Sequence, residues 1–246
     1  MRALRELSRS LGPGGVLVLC YHAVRSATRF AAHLDVLATR GYAIVPLVRV
    51  VAWLTRGEPL PAPAALLTFD HVYGDQLTHA VPVLAERGVP ATFFPVAADL
   101  AASPQHRRAV AALALAGHSV GAHTHSHRPL PALAEAEVRR ELADSRRIVE
   151  DVAGARATVF CYPFGAWDRR VAALVSEAGY EAAFTVDLGL VRRGDDRFSL
   201  RRACVLGEPG PRAFNAFVAG VAPLPGALLA IWKLRERWLD SREVRA

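Results

Sequence analysis

Two short segments carry most of the side chains that could do chemistry. Thr68-Phe69-Asp70-His71 ends an apolar run, and Gly121-Ala122-His123-Thr124-His125-Ser126-His127 follows about 50 residues later. A carboxylate with several imidazoles is the donor set of a metal-centred hydrolytic site. Neutral ring nitrogens suit a divalent ion, and a carboxylate beside them can take a proton from water. His123 and His127 are four apart, which on a helical turn or tight loop puts both rings on one side. Taken alone, that spacing equally describes two surface histidines. His125 lies between them, should point elsewhere, and is read as a structural support.

The elements that must position these groups alternate strand with helix. Val16 to Tyr21 is an apolar run fit for a strand buried on both faces. Phe30, Leu34 and Leu37 fall on one helical face, which Arg40-Gly41 closes. Ala43 to Leu47, Ala65 to Phe69, Ala91 to Val96, His118 to Ala122, Thr158 to Tyr162 and Ala182 to Val186 read as further strands. Leu200 to Leu206 is an eighth extended piece. Helices are expected through Trp53, through Val81, Leu84 and Ala85, from Gln105 to Ala116, from Leu133 to Val152, and through Val171, Leu174 and Val175. Asp75 is placed to cap the helix that follows it. Seven or eight such units imply a parallel sheet in a closed or nearly closed α/β barrel. Working residues of such barrels sit past the C-terminal strand ends. His22 follows the first strand, Asp70 and His71 the third, His123 and His127 the fifth, and Pro163-Phe164-Gly165 the sixth. All would meet at one face.

The 246 residues suffice for one large domain, and 52% hydrophobic with 22% charged residues reads as globular. The net charge is +7, carried almost wholly by arginine, since Lys233 is the only lysine. Biased coding and attraction to anionic partners explain this equally well. Nucleic acid is excluded as a partner: there is no zinc-finger spacing, aromatic RNA platform or compact basic run. Cys20, Cys161 and Cys204 lie far apart in apolar runs and read as buried, reduced thiols; none has the local context of a nucleophile. The apolar run Val16 to Cys20 is too short for a signal peptide and is separated from Arg2 and Arg5 by Gly12-Pro13-Gly14-Gly15. A cytoplasmic protein is expected, with peripheral residence at the inner membrane face as a variant of that reading.

An ordered set of segments resembles the polysaccharide deacetylases, carbohydrate esterase family 4, also called the NodB-homology group. They are Leu19-Cys20-Tyr21-His22-Ala23-Val24, Thr68-Phe69-Asp70, Ala91-Thr92-Phe93-Phe94, Gly117-His118 through His127, Tyr162-Pro163-Phe164-Gly165, Glu177-Ala178-Gly179-Tyr180 and Ala183-Phe184-Thr185. The resemblance implies a distorted (β/α) barrel of about seven parallel strands. It also implies metal-dependent removal of N-acetyl groups from an amino sugar in a polysaccharide, oligosaccharide or lipid-linked glycan. Asp70 matches the catalytic base, and His123 and His127 match metal ligands. Phe164 matches the residue whose backbone N–H helps hold the oxyanion. His22 fits the general acid of the subgroup with an early Tyr-His motif, donating to the leaving sugar amine. The family arginine that pairs with the base is absent from its usual place, and Arg202 is a candidate substitute. Tyr73, Pro163, Gly165, Trp167 and Arg202 form the candidate substrate-binding set, with Tyr73, Trp167 and Asp168 beside the site.

His71 stands where the family has a metal-binding Asp, and Val72 where a Gly usually follows. The expected ligands are therefore His71, His123 and His127. Three neutral imidazoles suit one transition metal, zinc first, with cobalt or nickel as alternatives. The competing reading is a carbohydrate-binding relative that has lost the metal.

Residues 1–14 read as a lead, 15–210 as the catalytic domain and 211–246 as a helical tail. Pro223-Leu224-Pro225-Gly226 breaks the chain. Leu228 to Leu239 then interleaves Leu228, Ile231, Trp232, Trp238 and Leu239 with Lys233, Arg235 and Arg237. Such a helix could pack on the barrel or lie on an anionic membrane surface.

Overall fold

The computed structural model describes residues 15–220. The lead and the amphipathic stretch from Leu228 to Leu239 lie outside the described residues. Strand β1 (Gly15–Tyr21) is followed by helix α1 (Ala27–Thr39), β2 (Ala43–Ile44), α2 (Leu47–Arg56) and β3 (Ala64–Asp70). After a π-turn at Gln76–Ala80 come α3 (Val81–Glu86), β4 (Thr92–Phe94), α4 (Ala97–Ala102), α5 (Pro104–Leu115) and β5 (Ser119–Val120). The rest comprises α6 (Glu135–Ala153), β6 (Val159–Cys161), α7 (Arg169–Glu177), β7 (Ala182–Phe184), β8 (Val191–Arg192), β9 (Ala203–Val205) and α8 (Pro211–Val218).

Parallel pairing runs β5–β4–β3–β1–β9, and β6 pairs β7 in parallel. Isolated parallel bridges join Ala122 to Phe160 and Phe184 to Leu200, linking these two sheets into a distorted seven-position ring. One expectation needs correction. The second run, Ala43 to Leu47, is not a barrel stave. β2 is two residues long and pairs only the first residues of β3, while β1 pairs β3 directly. Pro46 stands just ahead of α2 as its N-terminal flank, and Leu47 already belongs to that helix. The short β8 is antiparallel to β1.

The period-two alternation of strands sorts the core into two layers. Leu17, Leu19, Tyr21, Leu67, Phe69, Phe93 and Phe160 face the surrounding helices. Val16, Val18, Leu66, Phe94, Val159, Cys161 and Phe184 face the ring interior, where Leu47, Val50, Val51 and Trp53 of α2 join them. Helix α2 thus packs with the interior layer, and Cys20, His22, Thr68 and Asp70 continue that layer toward the opposite mouth. Helix α8 buries Phe214, Phe217 and Val218, and Phe214 stacks on His33 of α1 at 4.0 Å. No described helix is long and apolar enough to cross a membrane.

Candidate active site

Asp70 is the last residue of β3 and is 1% exposed. Its two carboxylate oxygens accept from Arg202 Nη1 at 2.7 Å and Nη2 at 2.8 Å, a forked, charge-assisted pair. Arg202 is 0% exposed, and its Nε donates to the Thr185 carbonyl at 2.8 Å. It therefore stands behind Asp70 and cannot meet a sugar, which corrects its place in the substrate-binding set. Burial alone would raise the Asp70 carboxyl, but the guanidinium outweighs burial and holds it well below the usual carboxylate range. Asp70 is thus anionic at neutral pH. Cys20 Sγ at 3.5 Å and Cys161 Sγ at 3.6 Å also reach Oδ2.

His71 continues from β3, its N–H donating to the Phe94 carbonyl at 2.9 Å. Its ring lies 4.5 Å from that of His127 and 5.1 Å from that of His123, centroid to centroid. The Nε2 atoms of His123 and His127 are 3.2 Å apart. Two nitrogens on a tetrahedral zinc, at bonds of about 2.05 Å, would sit about 3.3 Å apart. His123 Nδ1 donates to the Cys161 carbonyl at 2.8 Å, which fixes the tautomer with its Nε2 lone pair toward the cluster. The ligand atoms of all three rings lie within 4.8 Å of one another. Burial pushes the His71 and His127 rings down to about 4 and His123 well below its ordinary value. Three uncharged nitrogens converging beside a carboxylate fit a transition-metal ion as donors.

The HxxxH segment is a tight loop rather than a helical turn. Thr124 and His127 take left-handed φ of 63° and 57°. Thr124 Oγ1 accepts the His127 N–H at 2.9 Å. Glu141 of α6, 8% exposed, accepts the N–H groups of His125 and Ser126 at 2.8 Å each, and the Ser126 hydroxyl. His71, Val72 and Phe164 are also left-handed, at 73°, 61° and 58°. Strain of about 1–3 kcal/mol per such residue is concentrated at this mouth of the ring. It also accounts for the family glycine at the Val72 position, since glycine takes this conformation without a Cβ clash.

His22 lies just past β1, its Nε2 3.7 Å from Asp70 Oδ2 and its Nδ1 3.7 Å from Cys20 Sγ. Burial opposes charge on this ring, but the Cys20 sulfur and Asp70 more than offset it and raise it to about 9. Gln76 donates both to the His22 carbonyl and to the Asp70 carbonyl at 2.8 Å, tying the two strand ends together. The Phe164 ring packs edge-on against His127 at 4.7 Å. Tyr73, 47% exposed, stacks on His71 at 4.8 Å and 11°.

The fold thus gathers His22, Asp70, His71, His123, His127, Phe164 and Tyr73. Pro163 is buried within its turn. A Cβ on Gly165 would meet Val186 Cγ2 at 2.4 Å, so this glycine serves close backbone packing. Trp167 donates to Asp187 at 3.3 Å and stacks toward Tyr162. Asp75 does not cap its helix. Its Oδ2 accepts the Val24 N–H at 3.0 Å instead, bracing the segment after His22. Cys20, Cys161, Gln76 and Glu141 were not singled out for the site. Cys20 and Cys161 share the inward strand phase of His22 and Asp70, which is a readable signal. Gln76 and Glu141 act through backbone groups and leave no motif.

This arrangement gathers a carboxylate and converging imidazoles at one mouth of a distorted (β/α) barrel, a group that could hold a metal ion. The chain belongs to the polysaccharide deacetylase family, whose description matches residues 57–183, just over half of its length. That span contains Asp70, His71, His123, His127 and Phe164; His22 and Arg202 lie outside it and are supplied by the fold. The chain is 26% identical over 216 residues to YxkH of Bacillus subtilis, covering 84% of this chain and 77% of that protein. It is 36% identical over 124 residues to the chitooligosaccharide deacetylase of Sinorhizobium fredii, covering 49% and 56%. Among solved structures, IcaB from Ammonifex degensii superposes with a TM-score of 0.74 at 25% identity, covering 85% of this chain and 98% of that one. The Streptococcus pyogenes deacetylase PplD superposes at 0.75 and 20% identity, covering 82% and 96%, a likeness of fold.

Proposed function

We propose that this protein hydrolyses the N-acetyl group of an amino sugar, with Asp70 as general base and His22 as general acid. The observation that carries the reading is the convergence of an anionic, arginine-held Asp70 with three uncharged imidazoles at one mouth of the barrel. His71, His123 and His127 would hold one divalent transition metal, zinc by preference, as a His₃ donor set. When bound, the ion supplies Lewis-acid polarisation of the acetamide carbonyl and lowers the pKa of water.

The chain's own residues do the rest. Asp70 accepts the proton as water adds to the carbonyl carbon. The Phe164 backbone N–H helps hold the oxyanion. His22 gives a proton to the leaving nitrogen as the C–N bond breaks, so acetate and a free amino sugar depart. Tyr73 offers an exposed aromatic face for a pyranose ring beside His71. Family membership and the S. fredii relative's name support N-acetylated glycans as the substrate class. The complete set of base, acid and imidazoles favours hydrolysis over a binding role without catalysis.

The test is elemental analysis of purified protein together with acetate release from chitin oligomers. About one zinc-type ion per chain and activity abolished in Asp70→Asn are expected. Absence of metal, with no heat on titrating zinc or cobalt, overturns the three-histidine reading.

A further inference from the structure

We infer that Cys20 is a positioning residue for His22, its sulfur fixing the ring that protonates the leaving group. The inference rests on the reading of His22 as general acid. Cys20 continues the inward phase of Val16 and Val18 on β1, and His22, the residue just past the strand end, turns to the same side, both meeting Asp70. Cys20 is 0% exposed, and its Sγ lies 3.7 Å from His22 Nδ1 and 3.5 Å from Asp70 Oδ2. Among the described residues, this sulfur is the polar side-chain partner of Nδ1. The ring's other nitrogen, Nε2, faces the site 3.7 Å from Asp70. A histidine that donates from Nε2 must have Nδ1 held, or the ring rotates away from the reacting nitrogen.

Sulfur suits the gap. Its hydrogen-bonding reach is longer than that of oxygen, and a serine hydroxyl on its shorter bond would miss Nδ1, since such bonds need about 3 Å. Cys20 is held from behind in turn: Cys204 is its register partner on β9, and Arg202 reaches the same Asp70 carboxylate. One sulfur therefore touches both the acid and the base, and fixes their relative placement.

The test compares leaving groups. An N-acetylglucosamine amide must be protonated as it leaves, whereas 4-nitrophenyl acetate expels a stable phenolate without help. For Cys20→Ala and Cys20→Ser, the ratio of amide to aryl-ester kcat/KM is expected to fall by about tenfold or more. In a His22→Ala background the same substitutions should leave that ratio unmoved. Equal loss on both substrates, or a further tenfold loss of the ratio in the His22→Ala background, overturns the inference. A second measurement does not depend on turnover. ¹⁵N-resolved imidazole spectra of Cys20→Ala should shift the His22 Nδ1 signal while those of His71, His123 and His127 stay in place. An unchanged His22 signal overturns the positioning role. Absent metal and absent acetate release overturn the deacetylase reading, and the His22 signal still decides whether Cys20 holds the ring.

Discussion

Replacing Arg202 by methionine isolates what keeps Asp70 charged inside the barrel. The substitution keeps an apolar stem but removes the fork at 2.7 and 2.8 Å, and with it the bonds to Thr185 and Thr68. Removing one partner of a buried ion pair typically costs about 3–5 kcal/mol, because the other charge is left uncompensated. Asp70, 1% exposed, would respond by binding a proton. The signs then differ between the two proteins. In the wild type the Asp70 carboxyl is depressed, so its contribution is present above about pH 4 and is lost only as pH falls through the folded value. In Arg202→Met burial, the largest influence, is opposed only by the weaker pull of His123 and His22, so the carboxyl rises and stability is lost as pH climbs from the unfolded value through the folded one. The variant's deficit should therefore be smaller at pH 5 than at pH 8.

Urea unfolding of the wild type, Arg202→Met, Asp70→Asn and the double variant at both pH values measures this. The double variant should be less damaged than the sum of the singles by about 3 kcal/mol. A deficit independent of pH, or a coupling below about 0.5 kcal/mol, would refute the claim that Arg202 is the counter-charge.

Four further outcomes are expected. Because the His22 ring is raised to about 9, its proton is present below that value and lost above it. Amide turnover should therefore decline above about pH 9, and the decline should vanish from the residual activity of His22→Gln. Glu141→Gln weakens the grip on two loop N–H groups, which should lower stability by about 1–3 kcal/mol and zinc affinity about tenfold, read by chelator competition. His71→Ala should weaken zinc more than Glu141→Gln does, by about 100-fold in the same assay, since it removes a ligand rather than a support. Gly165→Ala combines φ +66° with a contact at 2.4 Å and should cost about 2–4 kcal/mol on thermal unfolding.

What the sequence makes legible here is set by the range over which its signals act. The strand alternation places His22, Asp70, His123 and Phe164 at or just beyond strand ends without any knowledge of pairing, because inward and outward phase is a local property. The barrel class follows for the same reason. Pairing is not local: the apolar run at 43–47 looks like a stave, and only its position after the turn from α1, with Pro46 leading into α2, makes it a side strand. Left-handed backbone at Thr124 and Phe164 is equally silent, since β-branched and aromatic residues give no warning of it. The charge logic of the centre is the least local part. Arg202 lies 132 residues from Asp70, and Cys161 lies 91 residues from it. The resemblance names Arg202 as a candidate partner of Asp70, but only the pairing of β9 with β1 shows how it reaches that carboxylate. Yet the substitution that looked most damaging, His71 for an acidic ligand, becomes intelligible only with Arg202 in view. The guanidinium neutralises Asp70, so a His₃ metal would leave the mouth of the barrel with uncompensated positive charge. Such a charge, were the ion bound, would draw in an anionic acetate product. An aspartate at position 71 would lower that charge by one, so product inhibition by acetate should be stronger in the wild type than in His71→Asp.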